Sequence, residues 1–139
     1  MKIYFAGSIR GGREDKEVYF KIIEHLKSYG KVLSEHVGYK DLEEVGEKNL
    51  SEEQIYVRDM TWLKDSDVVI AEVSTPSLGV GYEIREAEIL RKRILCLYRT
   101  QDAKRLSAML TGDRNLPVRE YTSLEEAVKH IDDFLKLIS

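Results

Sequence analysis

The stretch DVVIAEVSTPSLGVGYEI, residues 67 to 84, decides the fold. Its first seven residues, Asp67–Val73, form an almost unbroken apolar run rich in valine and isoleucine. That pattern predicts a strand buried on both faces. A proline and two glycines then interrupt regular backbone, and a helix is predicted over Val80–Lys92. The unit strand, glycine-bearing turn, helix recurs along the chain in both directions.

Upstream, Lys2–Ala6 reads as a strand. Glu14–Tyr29 follows as an amphipathic helix with Val18, Ile22, Leu26 and Tyr29 on one stripe, stopped by Gly30. Lys31–Ser34 reads as a second short strand. Residues 36–50 are polar, carry Gly38 and Gly46, and predict a long loop of the kind that is often functional. Ser51 with Gln54 forms a capping-box pattern that opens a helix running to about Lys64. Downstream, Arg93–Tyr98 is a strand, Ala103–Leu110 a short helix and Val118–Tyr121 a weaker fifth strand. Ser123 with Glu126 caps a last helix that runs to about Leu137. Alternating strands and helices with near-continuous apolar strands imply an α/β fold, a five-stranded parallel sheet covered by helices on both faces. In such sheets ligands bind beyond the carboxyl ends of the strands. That selects three connections: Gly7–Arg13, Ser34–Leu50 and Ser74–Gly79.

With 139 residues, 42% of them hydrophobic and 34% charged, the chain suits one domain, 1–139, with a core of its own. A net charge of −3 offers no basic footprint for a nucleic-acid polymer. Cys96 is the only cysteine, so no intramolecular disulfide can form, and its setting in RILCLY predicts a buried, inert thiol. The opening MKIYFAGS is too short for a secretory leader and no window is long enough to span a membrane, so a cytoplasmic protein is expected. The three histidines lie far apart, which argues against a dedicated metal site.

Within the three connections, GSIRGGR (7–13) combines three glycines, a serine and two arginines. Such a turn can aim backbone N–H groups at an anion, with Arg10 gripping phosphate oxygens. It matches neither a dinucleotide fingerprint nor a Walker loop. SLGVG (77–81) repeats the logic after the third strand, so two glycine-bearing loops could clasp one phosphate. Glu83 is expected in the first turn of its helix, where the macrodipole would keep the carboxylate ionised. Asp59 lies beside a stripe of Tyr56, Met60 and Leu63, taken as buried. It could pair with Arg58 or lean over the strand ends toward Glu83. Tyr4, on the first strand, needs a partner for a buried hydroxyl. His36 follows the second strand.

Several segments together resemble a known family. IYFAGSIRGGR, LSEHV, the aspartate of RDMTWLKDSDVVIAEVSTPSLGVGYE, KRILCLYR and RLSAML resemble, in order from about Lys2 to Leu110, the 2′-deoxynucleoside 5′-phosphate N-hydrolases. These belong to the wider nucleoside 2-deoxyribosyltransferase family. The resemblance implies a flavodoxin-like (Rossmann-like) three-layer sandwich, a homodimer and cleavage of the N-glycosidic bond of deoxynucleoside monophosphates without cofactor or metal. It implies Glu83 as the catalytic glutamate, Asp59 as its partner and Tyr4 as the supporting tyrosine. Ser8, Arg10, Ser77 and Gly79 fall on phosphate-contacting positions, with Gly7, Ile9 and Gly11 completing the substrate-binding turn. His36 falls beside the base, and Ser107 on a serine that reaches the neighbouring subunit's ligand. The loop from Gly38 to Leu50 departs from the family pattern.

Two other readings stay open on the residues. A deoxyribosyltransferase would move the sugar between free bases, but would give Arg10 no phosphate to hold. A non-catalytic nucleotide sensor would bind and leave the bond intact. A receiver-like domain is disfavoured, because YFAGS lacks the acids that hold Mg²⁺.

Overall fold

The computed structural model describes residues 1–10, 12–38, 49–100 and 105–138. In chain order the elements are β1 (Lys2–Gly7), α1 (Gly12–Leu26), β2 (Lys31–Val32), a short 3-10 turn (Glu35–Gly38), α2 (Glu52–Asp65), β3 (Val68–Glu72), α3 (Leu78–Ile89), β4 (Arg93–Arg99), α4 (Ala108–Thr111), β5 (Val118–Tyr121) and α5 (Leu124–Ile138). All strand pairs are parallel, in the order β2-β1-β3-β4-β5. This is the flavodoxin-like order, and its direction reverses between β1 and β3, where such folds open a ligand crevice.

Side-chain alternation divides the sheet into two faces. Ile3, Phe5, Val68, Ile70, Leu95 and Leu97 point to one side, where Tyr19, Ile22 and Leu26 of α1 and Ala127, Ile131 and Leu135 of α5 cover them. Tyr4, Ala6, Val69, Ala71, Cys96 and Tyr98 point to the other, against Met60 and Leu63 of α2 and Val80, Ile84 and Ala87 of α3. Each fully buried leucine or isoleucine contributes about 1.5–3 kcal/mol by leaving water. Cys96 is fully buried, and desolvation, then the charges of Glu88 and Asp113, push its thiol up to about 12. It is a core residue.

The capping box on α2 forms in both directions: the Ser51 hydroxyl accepts from Gln54 N and the Gln54 side chain accepts from Ser51 N. Other expectations need correction. β2 stops at Val32 instead of Ser34, because the Ser34 side chain takes over its pairing with β1. Its hydroxyl accepts from Phe5 N at 2.8 Å and donates to Phe5 O at 2.7 Å. α1 ends at Leu26, three residues before Tyr29, whose hydroxyl instead reaches Asp132 of α5 at 2.5 Å. α4 begins at Ala108, while the earlier part of the predicted Ala103–Leu110 helix falls partly outside the described residues, as does most of the predicted 36–50 loop. Among the described residues no helix is long and apolar enough to cross a membrane.

Candidate active site

Tyr4 belongs to the α2/α3 face by strand parity, so its ring leaves the sheet toward those two helices. Its hydroxyl donates a short hydrogen bond to Glu83 Oε2. Glu83 is the sixth residue of α3, which starts at Leu78 with Ser77 as N-cap. The expectation of a first-turn glutamate therefore fails. Gly79 and Gly81 do not form a loop but lie in the first turn itself, and Glu83 sits one turn further on, beyond the strongest pull of the macrodipole. Burial governs its titration instead, and burial favours the protonated form. Desolvation raises the carboxyl to about 7, the Tyr4 hydrogen bond opposes that, and the charge of Asp59 adds to it. Burial, then the charges of Glu83 and Asp59, push the Tyr4 phenol far up, so it stays a donor.

Asp59, on α2, is half-buried and forms an ion pair with Arg58. Nε and Nη2 of Arg58 donate to the same Asp59 oxygen at 3.0 and 2.9 Å. The Arg58 guanidinium also lies 4.8 Å from the centre of the Trp62 ring, and its Nη2 comes within 3.3 Å of His36 Nε2. The His36 ring lies 5.5 Å from Trp62. His36, Arg58 and Trp62 thus form one cluster next to Asp59, cationic and aromatic, with the two rings tilted by 50° to each other; each flat face is of the kind on which an aromatic base can stack. Sequence reasoning missed Trp62. The i, i+4 spacing of Arg58 and Trp62 on one helix was the available signal. Tyr56, expected in a buried stripe with Met60 and Leu63, is instead exposed and pairs with Tyr82 of α3, their hydroxyls 3.2 Å apart.

The turn after β1 leaves the sheet beside the segment that leads into α3, because Gly7 pairs with Glu72 in register. The two strand ends from which they depart are about 5 Å apart. Ser8 is buried and its hydroxyl accepts from Arg10 N at 3.3 Å, while Arg10 itself is exposed. Gly7 has a packing reason to be glycine: a Cβ there would lie 2.9 Å from the Tyr19 ring. A Cβ at Gly81 would meet nothing within 4 Å, so the first turn of α3 has an open face of backbone. Ser77 caps that turn by accepting from Val80 N at 3.2 Å. Ile9 is half-exposed on the turn after β1, and Gly11 lies outside the described residues.

Ser107 is not near Tyr4 and Glu83 in the way the other residues are. It is the exposed N-cap of α4 and lines a groove of about 1160 Å³ on another flank of α3. Ser77, Leu78 and Met109 line the same groove; Tyr4, Asp59 and Glu83 do not. Leu78 and Met109 are 97% and 83% exposed there. Among the described residues no cluster of three or more His, Cys, Asp or Glu is arranged to hold a metal.

The family model for nucleoside 2-deoxyribosyltransferase matches residues 3–126. A protein from Esox lucius named 5-hydroxymethyl-dUMP N-hydrolase is 49% identical over 144 aligned positions, spanning 100% of this chain and 99% of the relative. A protein of the same name from Tetraodon nigroviridis is 46% identical, spanning 96% of each. Among solved structures, the CMP N-glycosidase of Clostridium botulinum superposes with a TM-score of 0.67 at 19% identity, over 95% of this chain and 99% of that one. That likeness bears on the fold.

Proposed function

The chain belongs to the nucleoside 2-deoxyribosyltransferase family, and from that premise we propose that it hydrolyses the N-glycosidic bond of 2′-deoxynucleoside 5′-monophosphates. The products are a free nucleobase and 2-deoxyribose 5-phosphate. The observation that carries the mechanism is the Tyr4–Glu83 pair, with Asp59 electrostatically close to both.

Glu83 acts as the nucleophile. Its ionised carboxylate attacks C1′ as the C1′–N bond breaks, the base leaves with the bonding electrons, and a covalent sugar–enzyme ester forms. Water then opens the ester at C1′: its hydroxyl goes to the sugar, its proton balances the one the departed base takes up to become the free nucleobase, and Glu83 is released as carboxylate. The transition state carries oxocarbenium character, as in glycoside hydrolysis, and a neighbouring carboxylate stabilises it. Tyr4 holds the attacking group in one orientation. Asp59, paired with Arg58, contributes negative charge beside the sugar and a position for the leaving base, which stacks against His36 and Trp62. The buried turn at Ser8, the Arg10 side chain and the amides of the Ser77-capped helix bind the 5′-phosphate. That remote binding energy orients the sugar.

The exposed Leu78 and Met109 and the apolar groove between α3 and α4 suit burial against a second copy. In this homodimer Ser107 of each subunit reaches the phosphate held by the other.

The test is direct. Each deoxynucleoside monophosphate is incubated with the protein, with and without a second free base, and products are separated by chromatography. Free base and deoxyribose phosphate are expected, with little exchanged nucleotide. Glu83→Gln should abolish base release while nucleotide still binds. Mixing inactive Glu83→Gln subunits with impaired Ser107→Ala subunits should restore activity, because each hybrid contains one site with both side chains intact. Failure to restore would remove the shared site.

A further inference from the structure

On the opposite face of the sheet from Tyr4 and Glu83 lies a buried polar cluster that the chemistry above does not use. Parity places Glu72, at the end of β3, and Arg99, at the end of β4, on the α1/α5 side. Glu72 is fully buried. Its two oxygens accept from Ser74 N at 2.6 Å and from the Tyr121 hydroxyl at 3.1 Å. Asp15, in the first turn of α1, is only 2% exposed. One of its oxygens accepts from Arg99 Nη2 at 2.6 Å, and the other accepts from the Thr75 hydroxyl. The Ser74 hydroxyl accepts from Arg99 N at 2.8 Å.

Three of these bonds end on Ser74 or Thr75, in the connection between β3 and α3, and the other two anchor the side chains that make them. A buried carboxylate–guanidinium pair is a poor way to gain stability, since well-packed apolar side chains serve as well or better. Its directional bonds do something apolar side chains cannot: they fix an orientation. Asp15 belongs to the helix entered through the turn after β1, and Thr75 to the segment that leads into Ser77. The Asp15–Thr75 bond is a direct tie between the two halves of the phosphate cradle.

We propose that Asp15 is a positioning residue for the phosphate end of the site. Anchored by Arg99, its carboxylate holds Thr75 and so sets the spacing between the turn at residues 7–10 and the amides at the start of α3. The inference rests on reading those two turns as the phosphate cradle. Displacement of about 1 Å at a binding group can cost on the order of a hundredfold in rate. Asp15 is too buried to touch the nucleotide itself, which separates positioning from direct contact.

The experiment compares Asp15→Asn, Thr75→Val and Thr75→Ser with wild type. It measures kcat and KM for a deoxynucleoside monophosphate and for the matching deoxynucleoside, binding of inorganic phosphate by calorimetry, and Tm. Asp15→Asn and Thr75→Val should raise KM for the nucleotide and weaken phosphate binding by roughly 10- to 100-fold. Deoxynucleoside turnover should stay unchanged, and Thr75→Ser, which keeps the hydroxyl, should behave as wild type. Equal losses on nucleotide and nucleoside, or unchanged nucleotide KM and phosphate affinity, would overturn the proposal. If Thr75→Val does not fold, Asp15→Asn decides the matter on the same readouts. A wild type that binds phosphate yet cleaves no nucleotide would count against the hydrolase reading alone, and the calorimetry would still test the tie.

Discussion

Replacing Tyr4 by phenylalanine removes a single hydroxyl and leaves the ring in the core. The lost interaction is a hydrogen bond to Glu83 that favours its ionised form. A hydrogen bond to a charged group contributes about 1.5–3 kcal/mol, and one pKa unit corresponds to about 1.4 kcal/mol. The Glu83 carboxyl, raised to about 7 by burial, should therefore climb by about one to two units in Tyr4→Phe. In the proposed mechanism only the carboxylate attacks C1′, so kcat/KM should rise with pH through this ionisation in both proteins. The assay is base release from a deoxynucleotide between about pH 5 and 10, with the profiles compared as a ratio. Ionisation of the substrate phosphate then cancels. At pH 6 the variant should fall short of wild type by roughly 10- to 100-fold, with the gap closing as pH rises. Two profiles with the same acid limb, differing only by a constant factor, would show that Tyr4 does not tune Glu83.

The same ionisation leaves a mark on stability. The folded state raises Glu83 from 4.5 to about 7, so its stabilising contribution is complete below about 4.5 and is lost as pH rises through 7. Glu83→Gln cannot ionise. Its unfolding free energy, followed by denaturant titration, should gain on wild type between pH 5 and 8, by about 1–2 kcal/mol after allowance for the open side of the cleft. Arg10→Ala should reduce deoxynucleotide cleavage far more than deoxynucleoside cleavage, in steady-state assays of both; equal losses would remove Arg10 from the phosphate. Asp132 shows the opposite linkage to Glu83. The Tyr29 hydroxyl, then His25, hold its carboxyl below 3.8. That stability is present above 3.8 and fades as pH falls, so Asp132→Asn should lower the unfolding free energy at pH 7 by at most about 1 kcal/mol and cost little near pH 2, as denaturant titrations at the two pH values would show.

Most of the fold is legible because buried strands write themselves as apolar runs. Asp67–Val73 and Arg93–Tyr98 match β3 and β4 to within a residue at each end. Misreadings arise where a distant partner overrides a local signal. Gly79 and Gly81 look like loop residues by propensity, yet Ser77 caps a helix that runs straight through them. Ser34 looks like strand, but its side chain replaces the ladder. Tyr56 fits an apolar stripe and ends up on the surface against Tyr82. The Tyr4–Glu83 bond joins residues 79 apart in the chain, so no local pattern could announce it. Asp15 is the sharpest case. An acid in a first helical turn ordinarily reads as a favourable surface charge. Only the arrival of Arg99 and Thr75 from later segments makes it a buried hub.

The opposed neighbours Tyr4 and Phe5 carry a consequence for how this protein can vary. A one-residue slip of β1 along β3 would keep every hydrogen-bonded rung and nearly the same composition of the sheet. It would nevertheless turn the phenol into the greasy layer under α1 and present a bare benzene ring to Glu83. The reading frame of this strand is thus as much a heritable requirement as the identity of its residues. Insertions and deletions should be purged from it more stringently than point changes.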